Sequence, residues 1–197
     1  MSQLPDHPQR VLVVDNEYMV ATGLARDLEE LGYEVVALAA DGEEAIRRCH
    51  ELEPDLVLLD IRMPHRDGVS TAEQLHREFA VAVVFCTAFP AQEYVDAANR
   101  YGVHGYILKP VTKDNLRIEI AMAWGRYLEG IRASEAIEKL ETRLEHRKII
   151  EKAKWIVVER REISEPEAMR LLQRQARNNR RRLVDVAQSI IDNAELI

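Results

Sequence analysis

The chain is 197 residues long, 47% of its residues are hydrophobic and 31% are charged, and its formal net charge is −7. This length accommodates one domain of about 120 residues and a smaller module. Without a signal peptide or an apolar run near the ~18 residues of a membrane-spanning helix, we expect a cytoplasmic protein that has no membrane partner. Cys49 and Cys86 are too few for a disulfide framework or a zinc site, so two reduced structural thiols are expected.

The first two thirds of the chain alternate short apolar runs with helical patterns. Such runs are typical of buried parallel strands. Strands are predicted near residues 10–14, 34–38, 55–59, 81–86 and 104–108. Helices are predicted near 17–31, 42–52, 69–79 and 91–101, with Gly32 ending the first, and a last helix begins at about 112. The pattern therefore predicts five βα units and an α/β fold.

Four of the predicted strands end at a polar residue: Asp15, Asp60, Thr87 and Lys109. In an open α/β sheet, functional side chains gather at the carboxyl ends of the strands. Two carboxylates, a hydroxyl and an ammonium should therefore meet at one edge of the sheet. That set of groups suits the transfer of a phosphoryl group to an aspartate.

These residues occur in the order found in the receiver domains of two-component response regulators. Residues 9 to about 128 resemble that family through Asp15, the Asp60-Ile61-Arg62-Met63-Pro64 stretch, Thr87-Ala88 and Lys109-Pro110. The resemblance implies a flavodoxin-like, doubly wound sheet of five parallel strands in the order 2-1-3-4-5. We assign residues 1–128 to this domain.

The resemblance also implies a role for each residue of the site. Asp60 would be the nucleophile and would take a phosphoryl group from the phosphohistidine of a sensor histidine kinase or from a small phosphodonor. Lys109 and Mg²⁺ would offset the charge on the phosphoryl oxygens. Thr87 would bind a phosphoryl oxygen after transfer, and Tyr106 would follow it from an exposed to a buried position. The Lys109-Pro110 bond is expected to be cis.

The expected magnesium ligands are oxygens of Asp15, Asp60 and the backbone carbonyl of Arg62. Asn16 departs from the family, which usually has a second acid at this position. A neutral amide offers an oxygen without a charge, so magnesium should bind more weakly here, although the neighbouring Glu17 offers a possible compensation. The alternative is a receiver that has partly lost its metal and switches by other means. The histidines show no ligand spacing, and no other metal cluster is predicted.

The last helix of the first domain has no clear end in the sequence. No proline occurs from Leu116 to Val158. Apolar residues recur at steps of three and four, first at Trp124, Leu128 and Ile131 and then, after a break in register, at Ile137, Leu140 and Leu144. We interpret residues 129–146 as a coiled-coil-like helical connector and a dimerisation element. The alternative is an amphipathic helix packed on its own domain.

The charge changes sign along the chain. Residues 1–133 carry 13 basic and 22 acidic side chains, whereas residues 134–197 carry 14 basic and 12 acidic ones. Residues 174–182 contain five arginines. A locally basic second half favours a nucleic-acid partner, but a solvated helix face is an equal alternative on charge alone.

Two more helices are predicted after the long one. Ser164-Glu165-Pro166-Glu167 is a good helix start, because Glu167 can reach back to Ser164 and proline is tolerated in a first turn. The apolar pattern then predicts helices near 165–177 and 180–192. With the end of the connector, they make a small all-α module of three helices.

This module resembles the ANTAR domain over about residues 137–192, and we assign residues 137–197 to it. The matching stretches begin at Arg147, Ser164 and Arg182, and Trp155 stands where the family usually has glycine. The resemblance implies binding to RNA hairpins in a nascent transcript, which prevents a terminator from forming. The candidate RNA contacts are Arg147, Lys154, Asn179, Arg181 and Arg182.

The whole sequence therefore predicts a phosphorylation-controlled RNA-binding antiterminator that forms a homodimer when Asp60 is phosphorylated. Two alternatives are a DNA-binding response regulator and a protein-interaction output without nucleic acid. The tail lacks a convincing helix-turn-helix, which argues against DNA. It also lacks a nucleophile–base pair, so no enzyme is expected.

Overall fold

The computed structural model describes residues 7–64, 66–88 and 101–195. The chain divides into two compact units, Met1–Gly130 and Ile131–Ile197. Residues 91–100 of the helix predicted near 91–101 fall outside the described residues.

The first unit contains a five-stranded sheet. Its strands are β1 (Arg10–Val14), β2 (Glu34–Ala39), β3 (Leu56–Leu59), β4 (Ala82–Thr87) and β5 (Gly105–Leu108). All neighbouring strands are parallel and their order is β2-β1-β3-β4-β5. The helices are α1 (Tyr18–Glu30), α2 (Gly42–Leu52), α3 (Gly68–Glu78) and the start of α4 (Lys113–Arg161). The predicted fold and strand order are confirmed.

Apart from Arg10 and Thr87, the central strands β1, β3 and β4 are apolar at every position, because both faces of the sheet are covered. Every residue of β3 and β4 is buried. Cys49 and Cys86 are buried as well, and burial raises the pKa of each thiol to about 12. Both are therefore protonated at neutral pH and pack as small apolar groups.

Side-chain caps begin two of the helices, and a glycine follows the end of a third. The side chain of Asp41 accepts a hydrogen bond from Glu44 N (2.8 Å) at the start of α2, and Asp67 accepts one from Ser70 N (2.7 Å) at the start of α3. Gly32 follows α1 with a φ of 91°, which glycine adopts without a Cβ penalty. The prediction that Gly32 ends the first helix is confirmed.

The long helix α4 is continuous from Lys113 to Arg161, as the absence of proline predicted. In the first unit it buries Leu116, Ile120 and Trp124. In the second unit, its residues Ile137, Leu140 and Leu144 are exposed. The apolar pattern of α4 thus serves a core in one part and lies on the surface in another.

The second unit is a three-helix arrangement of the end of α4 with α5 (Glu165–Asn178) and α6 (Leu183–Glu195). Val157, Ala168, Leu172 and Val186 form one buried cluster, and Ala153, Ala187 and Ile191 form another. At the start of α5, Ser164 N–H donates to Glu167 Oε2 (3.0 Å), as predicted. No described helix combines the length and the apolar character that crossing a bilayer requires.

Candidate functional site

The four polar residues that were expected at the sheet edge lie at the carboxyl ends of adjacent strands. Asp15 follows β1, Asp60 follows β3, Thr87 is the last residue of β4, and Lys109 follows β5. Because β1, β3, β4 and β5 are consecutive in the sheet, these ends form one row. The backbone holds the row together: Asp60 N donates to Val14 O and Lys109 N donates to Thr87 O, both at 2.9 Å.

Lys109 joins the two carboxylates. Its Nζ lies 2.6 Å from Asp15 Oδ2 and 3.0 Å from Asp60 Oδ2. Asp15 is 2% exposed and Asp60 is 6% exposed, so both acids are held out of bulk water. A buried ionised group is tolerated only when it is paired and hydrogen-bonded. The three side chains are therefore a mutually dependent set.

The electrostatics keep Lys109 charged. Burial alone would lower the pKa of its ammonium, but hydrogen bonds from the ammonium to Asp15 and Asp60 outweigh burial and raise that pKa above its ordinary value. The row thus offers a permanent cation 3.0 Å from a carboxylate oxygen of Asp60. A cation in this position can offset negative charge that develops on a group bound to Asp60.

Thr87 is the member of this row on β4, and Tyr106 lies on the adjacent strand β5. Thr87 is fully buried, and Tyr106 is partly buried against the core of the sheet. Phe85 pairs with Tyr106 and Thr87 pairs with Leu108 in the β4–β5 register. The Lys109–Pro110 peptide bond is cis, which confirms the expectation from the family resemblance.

Oxygen donors for a divalent cation are available at the same edge, and they fit magnesium in kind. Asp60 Oδ1 accepts a long hydrogen bond from Arg62 N (3.4 Å), which brings the Arg62 backbone to the phosphoacceptor candidate. Among the described residues, no group of three or more His, Cys, Asp and Glu side chains is arranged to hold a metal. A cation here would therefore depend on two carboxylates and on neutral oxygens.

Asn16 and Glu17 lie on different sides of the site. Asn16 lines a cavity of about 380 Å³ together with Arg62 and Asp67. Glu17 lines another cavity, of about 530 Å³, together with Lys109 and Pro110. The backbone N–H of Glu17 donates to Asp15 Oδ1 (2.9 Å). This arrangement does not favour Glu17 as a substitute for the acid that Asn16 replaces.

Gly68 is a positioning residue whose role the sequence analysis missed. A Cβ atom at this position would lie 2.2 Å from the Asp60 carbonyl oxygen and 2.7 Å from Ile61 Cα. Gly68 N also donates to Ile61 O (2.8 Å). Only glycine lets α3 begin this close to the segment that carries Asp60. The Asp67-Gly68 pair was the available signal, because it combines a helix N-cap with a residue that permits close approach.

Four of the five candidate RNA contacts lie exposed in the second unit: Arg147, Asn179, Arg181 and Arg182. Arg181 Nη2 donates to Asp185 O and to Ser189 Oγ, both at 3.1 Å. Arg182 makes a bidentate contact with the Asp185 carboxylate at 3.0 and 2.8 Å. Its side chain is still 73% exposed. These contacts fix the direction of two guanidinium groups at the start of α6.

Lys154 is placed differently from these four residues. It is 5% exposed, and its ammonium lies 2.5 Å from both Glu151 Oε2 and Glu165 Oε1. Hydrogen bonds to these two carboxylates raise the pKa of Lys154. Its charge is directed at its own acids, so Lys154 ties α4 to the first turn of α5 and presents no cation to a ligand.

Comparison with known proteins matches two segments of the chain to two different families. Residues 11–121 match the response regulator receiver domain family, and residues 138–191 match the ANTAR domain family. The chain is 34% identical to the transcriptional regulatory protein PdtaR of Mycobacterium tuberculosis over 185 residues, which are 94% of this chain and 90% of that protein.

Solved structures resemble the first unit. The signal receiver domain of a modulated diguanylate cyclase from Desulfovibrio desulfuricans G20 is 37% identical, with a TM-score of 0.57, and covers 62% of this chain and 98% of its own. A chain of the CheX–CheY–BeF3–Mg complex from Borrelia burgdorferi is 26% identical, with a TM-score of 0.54. The match covers 58% of this chain and 87% of that chain.

Proposed function

The chain belongs to the response regulators that join an N-terminal receiver domain to a C-terminal ANTAR domain, and from this premise we propose that it is a phosphorylation-controlled RNA-binding antiterminator. Both matched families are regulatory. We further propose residues 1–128 as the receiver, 129–146 as the connector and 137–197 as the ANTAR output. The observation that carries the receiver half is the ion-paired set of Asp15, Asp60 and Lys109.

Asp60 is the phosphoacceptor in this proposal. A carboxylate oxygen of Asp60 forms a bond to phosphorus while the bond from phosphorus to the phosphohistidine nitrogen of a sensor histidine kinase, or to the leaving oxygen of a small phosphodonor, breaks. Lys109 stands beside Asp60 and offsets the charge on the phosphoryl oxygens. Thr87, the buried last residue of β4, hydrogen-bonds a phosphoryl oxygen after transfer.

A magnesium ion fits the oxygen donors at this edge. Asp15, Asp60 and the Arg62 carbonyl would hold it, and Asn16 would contribute a neutral amide oxygen. When bound, it would supply further positive charge against the phosphoryl oxygens. Because Asn16 lacks a charge, the site holds fewer negative groups than a pair of adjacent acids would provide, so binding of magnesium should be weak.

The switch proposed for this receiver runs through Thr87 and Tyr106. Tyr106 is partly buried against the core, so a small displacement of Thr87 toward Asp60 can change how deeply the ring packs. Packed cores have discrete arrangements, which allows a local charge change to shift the population of two states. The helix α4 follows β5 by four residues and continues into the second unit, so it is the element through which the change would pass.

Dimerisation is the proposed outcome of that change. Ile137, Leu140 and Leu144 are 56%, 57% and 59% exposed, although each is a large apolar side chain. Their spacing of three and four residues is that of a coiled-coil seam. Pairing two copies along this seam would place two ANTAR modules side by side, and linked modules bind two hairpins with an enhanced effective concentration.

The RNA surface is proposed to include Arg147, Asn179, Arg181 and Arg182. Their exposed guanidinium and amide groups can bind phosphates and unstacked loop bases. The fixed geometry of Arg181 and Arg182 supports this assignment because ordered arginines lose less side-chain entropy on binding. Lys154 is left out for the reason given above.

Phosphorylation is tested by incubating the full-length protein with acetyl phosphate and Mg²⁺ and following the phosphoprotein on a phosphate-affinity gel. We expect a shifted, hydroxylamine-sensitive band that Asp60→Asn abolishes and Lys109→Ala strongly reduces. Asp67→Asn is the matched control, since Asp67 caps α3 in the same segment. A band that persists in Asp60→Asn would exclude Asp60 as the phosphoacceptor.

The output is tested by selecting RNA from a pool of tandem hairpins with randomised loops and competing it with duplex DNA of equal length. We expect enrichment of hairpins, and no competition from DNA at an equal nucleotide concentration. Effective competition by duplex DNA would favour a DNA-binding regulator. No enrichment in any state would favour a protein-interaction output.

A further inference from the structure

Trp155 is an exposed aromatic residue in the second unit. It lies on α4 and is 52% exposed, whereas Trp124, the other tryptophan of the chain, is 2% exposed. Leaving an indole ring in water forgoes a large gain from apolar burial. A ring placed in this way therefore offers its surface to a partner.

The indole faces away from the core of its own unit. Ala153 and Val157, two residues on either side along the chain, are buried against α5 and α6. At about 100° per residue, Trp155 lies about 160° around the helix from each of them. Its exposure thus follows from the register of α4, and repacking of the three-helix core would not bury it.

The apolar seam of the connector does not extend to Trp155. Trp155 is 11 residues beyond Leu144, so both lie within about 20° on one side of α4. Exposed Lys148 lies on the same line between them. In a parallel pair of helices, a seam through both Leu144 and Trp155 would bring two Lys148 ammonium groups together, which is unfavourable.

The charges around the ring are unequal. Lys148 and Lys152 stand seven and three residues before Trp155, on the same side of the helix. Glu151, four residues before it, is paired with Lys154. Glu159, four residues after it, is an exposed acid. Exposed Glu162 follows the end of α4, so the indole has basic residues toward the start of the helix and two acids toward its end.

We propose that Trp155 stacks on an unpaired base of the bound RNA hairpin, with Lys148 beside a flanking phosphate. This inference rests on the RNA-binding function proposed above and adds a contact outside the arginine-rich end of α5 and start of α6. Aromatic rings flanked by cations are the usual platform for single-stranded bases, because every base has a face that can stack and its phosphates are anionic. The RNA backbone follows the Lys148 side and avoids Glu159.

Fluorescence tests the contact in the wild-type protein. Because Trp124 is buried, the iodide-quenchable part of the emission belongs to Trp155. Adding a hairpin RNA selected with the full-length protein should quench this emission through stacking and should protect the remainder from iodide. Unchanged emission and unchanged iodide access in a saturated complex would overturn the proposal.

Two substitutions separate stacking from apolar contact. Trp155→Phe keeps an aromatic face and should retain most of the affinity for the selected hairpin, whereas Trp155→Leu keeps an apolar, helix-compatible side chain and should lose at least about fivefold. Tyr18→Leu, which removes an exposed ring in the first unit, is the control and should bind as the wild type does. Thermal unfolding must show that each variant is folded.

A hairpin whose loop nucleotides are abasic completes the test. Wild-type protein should bind it more weakly than the intact hairpin, and Trp155→Leu should show a much smaller difference between the two RNAs. If Trp155→Leu binds intact RNA as tightly as wild type, the inference fails and the RNA function stands. If it changes self-association and leaves RNA affinity unchanged, the partner of Trp155 is a second copy. If wild type selects no hairpin at all, both proposals fail.

Discussion

Lys109 shows how far single residues could be predicted. The ends of four apolar runs predicted that Asp15, Asp60, Thr87 and Lys109 would meet, because parallel strands present their carboxyl ends at one edge. The sequence could not predict that the Lys109 ammonium would contact both carboxylates, at 2.6 and 3.0 Å. That contact depends on side-chain distances across the sheet, which no local pattern carries.

Asn16 gives the first prediction, which concerns the proposed magnesium site. Asn16→Asp should tighten Mg²⁺ binding by about tenfold, since it adds a carboxylate to a site that has two. Titration calorimetry with MgCl₂ at low ionic strength measures the change. Glu17→Gln is the control and should leave the affinity nearly unchanged, because Glu17 lines the cavity on the Lys109 side. A large loss of affinity in Glu17→Gln would instead make Glu17 the compensating ligand.

His104 gives a prediction about acid stability. Its Nδ1 accepts a hydrogen bond from Val83 N (3.1 Å), and burial, the largest cause, lowers the pKa of the imidazole to about 4. The unfolded chain has a histidine pKa of about 6.5, so the stability from neutral His104 is complete above that pH and declines as the pH falls toward 4. The loss should be about 1–2 kcal/mol after solvent screening at a partly exposed ring.

Urea unfolding between pH 7 and 4.5, followed by the fluorescence of buried Trp124, measures the effect of His104. His104→Asn keeps an acceptor for Val83 but cannot titrate in this range, so its stability should vary less with pH. His7→Gln changes an exposed histidine and should reproduce the wild-type profile. Identical pH profiles for wild type and His104→Asn would show that other groups control acid stability.

At the scale of elements, strands and helices could be predicted closely wherever periodicity and caps agree. The helix predicted at 42–52 is Gly42–Leu52, with Asp41 capping it. The last helix was predicted near 180–192 but runs from Leu183 to Glu195. The three arginines before Leu183 are compatible with a helix in charge and propensity, so the sequence does not indicate that the helix begins only at Leu183. Arg180 adopts a φ of 51°, which ends α5 instead.

Gly68 gives a prediction about the segment between β3 and α3. Gly68→Ala should lower the free energy of unfolding by about 1–3 kcal/mol and slow phosphorylation, because the added Cβ collides with the Asp60 backbone. Gly125→Ala is the control, since nothing lies within 4 Å of an added Cβ in the middle of α4. It should stabilise the protein by about 1 kcal/mol. Equal stability of the two variants would contradict the close approach at Gly68.

Lys154 gives a prediction that separates stability from binding. Lys154→Met keeps the length of the side chain but removes the contacts with Glu151 and Glu165 that link α4 to α5. Its melting temperature should fall, while its affinity for the selected hairpin should stay unchanged at a temperature where it is folded. Arg147→Met removes an exposed cation of the same helix. Its melting temperature should stay unchanged, while its affinity for the selected hairpin should fall. A loss of RNA affinity in folded Lys154→Met would restore Lys154 to the contact set.

At the scale of the whole molecule, the two units differ in what they offer. The first buries a charged row at its sheet edge, and the second carries an exposed apolar seam and exposed arginines. One helix, α4, belongs to both. The continuity of this helix could be predicted from the absence of proline. Whether the helix couples phosphorylation to RNA binding depends on whether phosphorylation changes the pairing of two copies.

The seam gives a prediction about assembly. Leu140→Lys should prevent the phosphorylation-dependent increase in mass that we expect for the wild type, because it places a charge in the middle of the apolar seam. Light scattering after size exclusion, with and without beryllofluoride and Mg²⁺, measures it. Lys139→Glu is the control, since Lys139 is already a charged, exposed neighbour. A dimer that forms equally well in Leu140→Lys would place the interface elsewhere.

The central claim is that phosphorylation of Asp60 controls RNA binding by the ANTAR module. The most direct measurement is the affinity of the full-length protein for a selected tandem-hairpin RNA, with and without beryllofluoride and Mg²⁺, compared between wild type and Asp60→Asn. We predict that the reagent tightens binding by tenfold or more in the wild type and has no effect on Asp60→Asn, since a second linked module then engages. Equal wild-type affinity in both states would contradict control by phosphorylation.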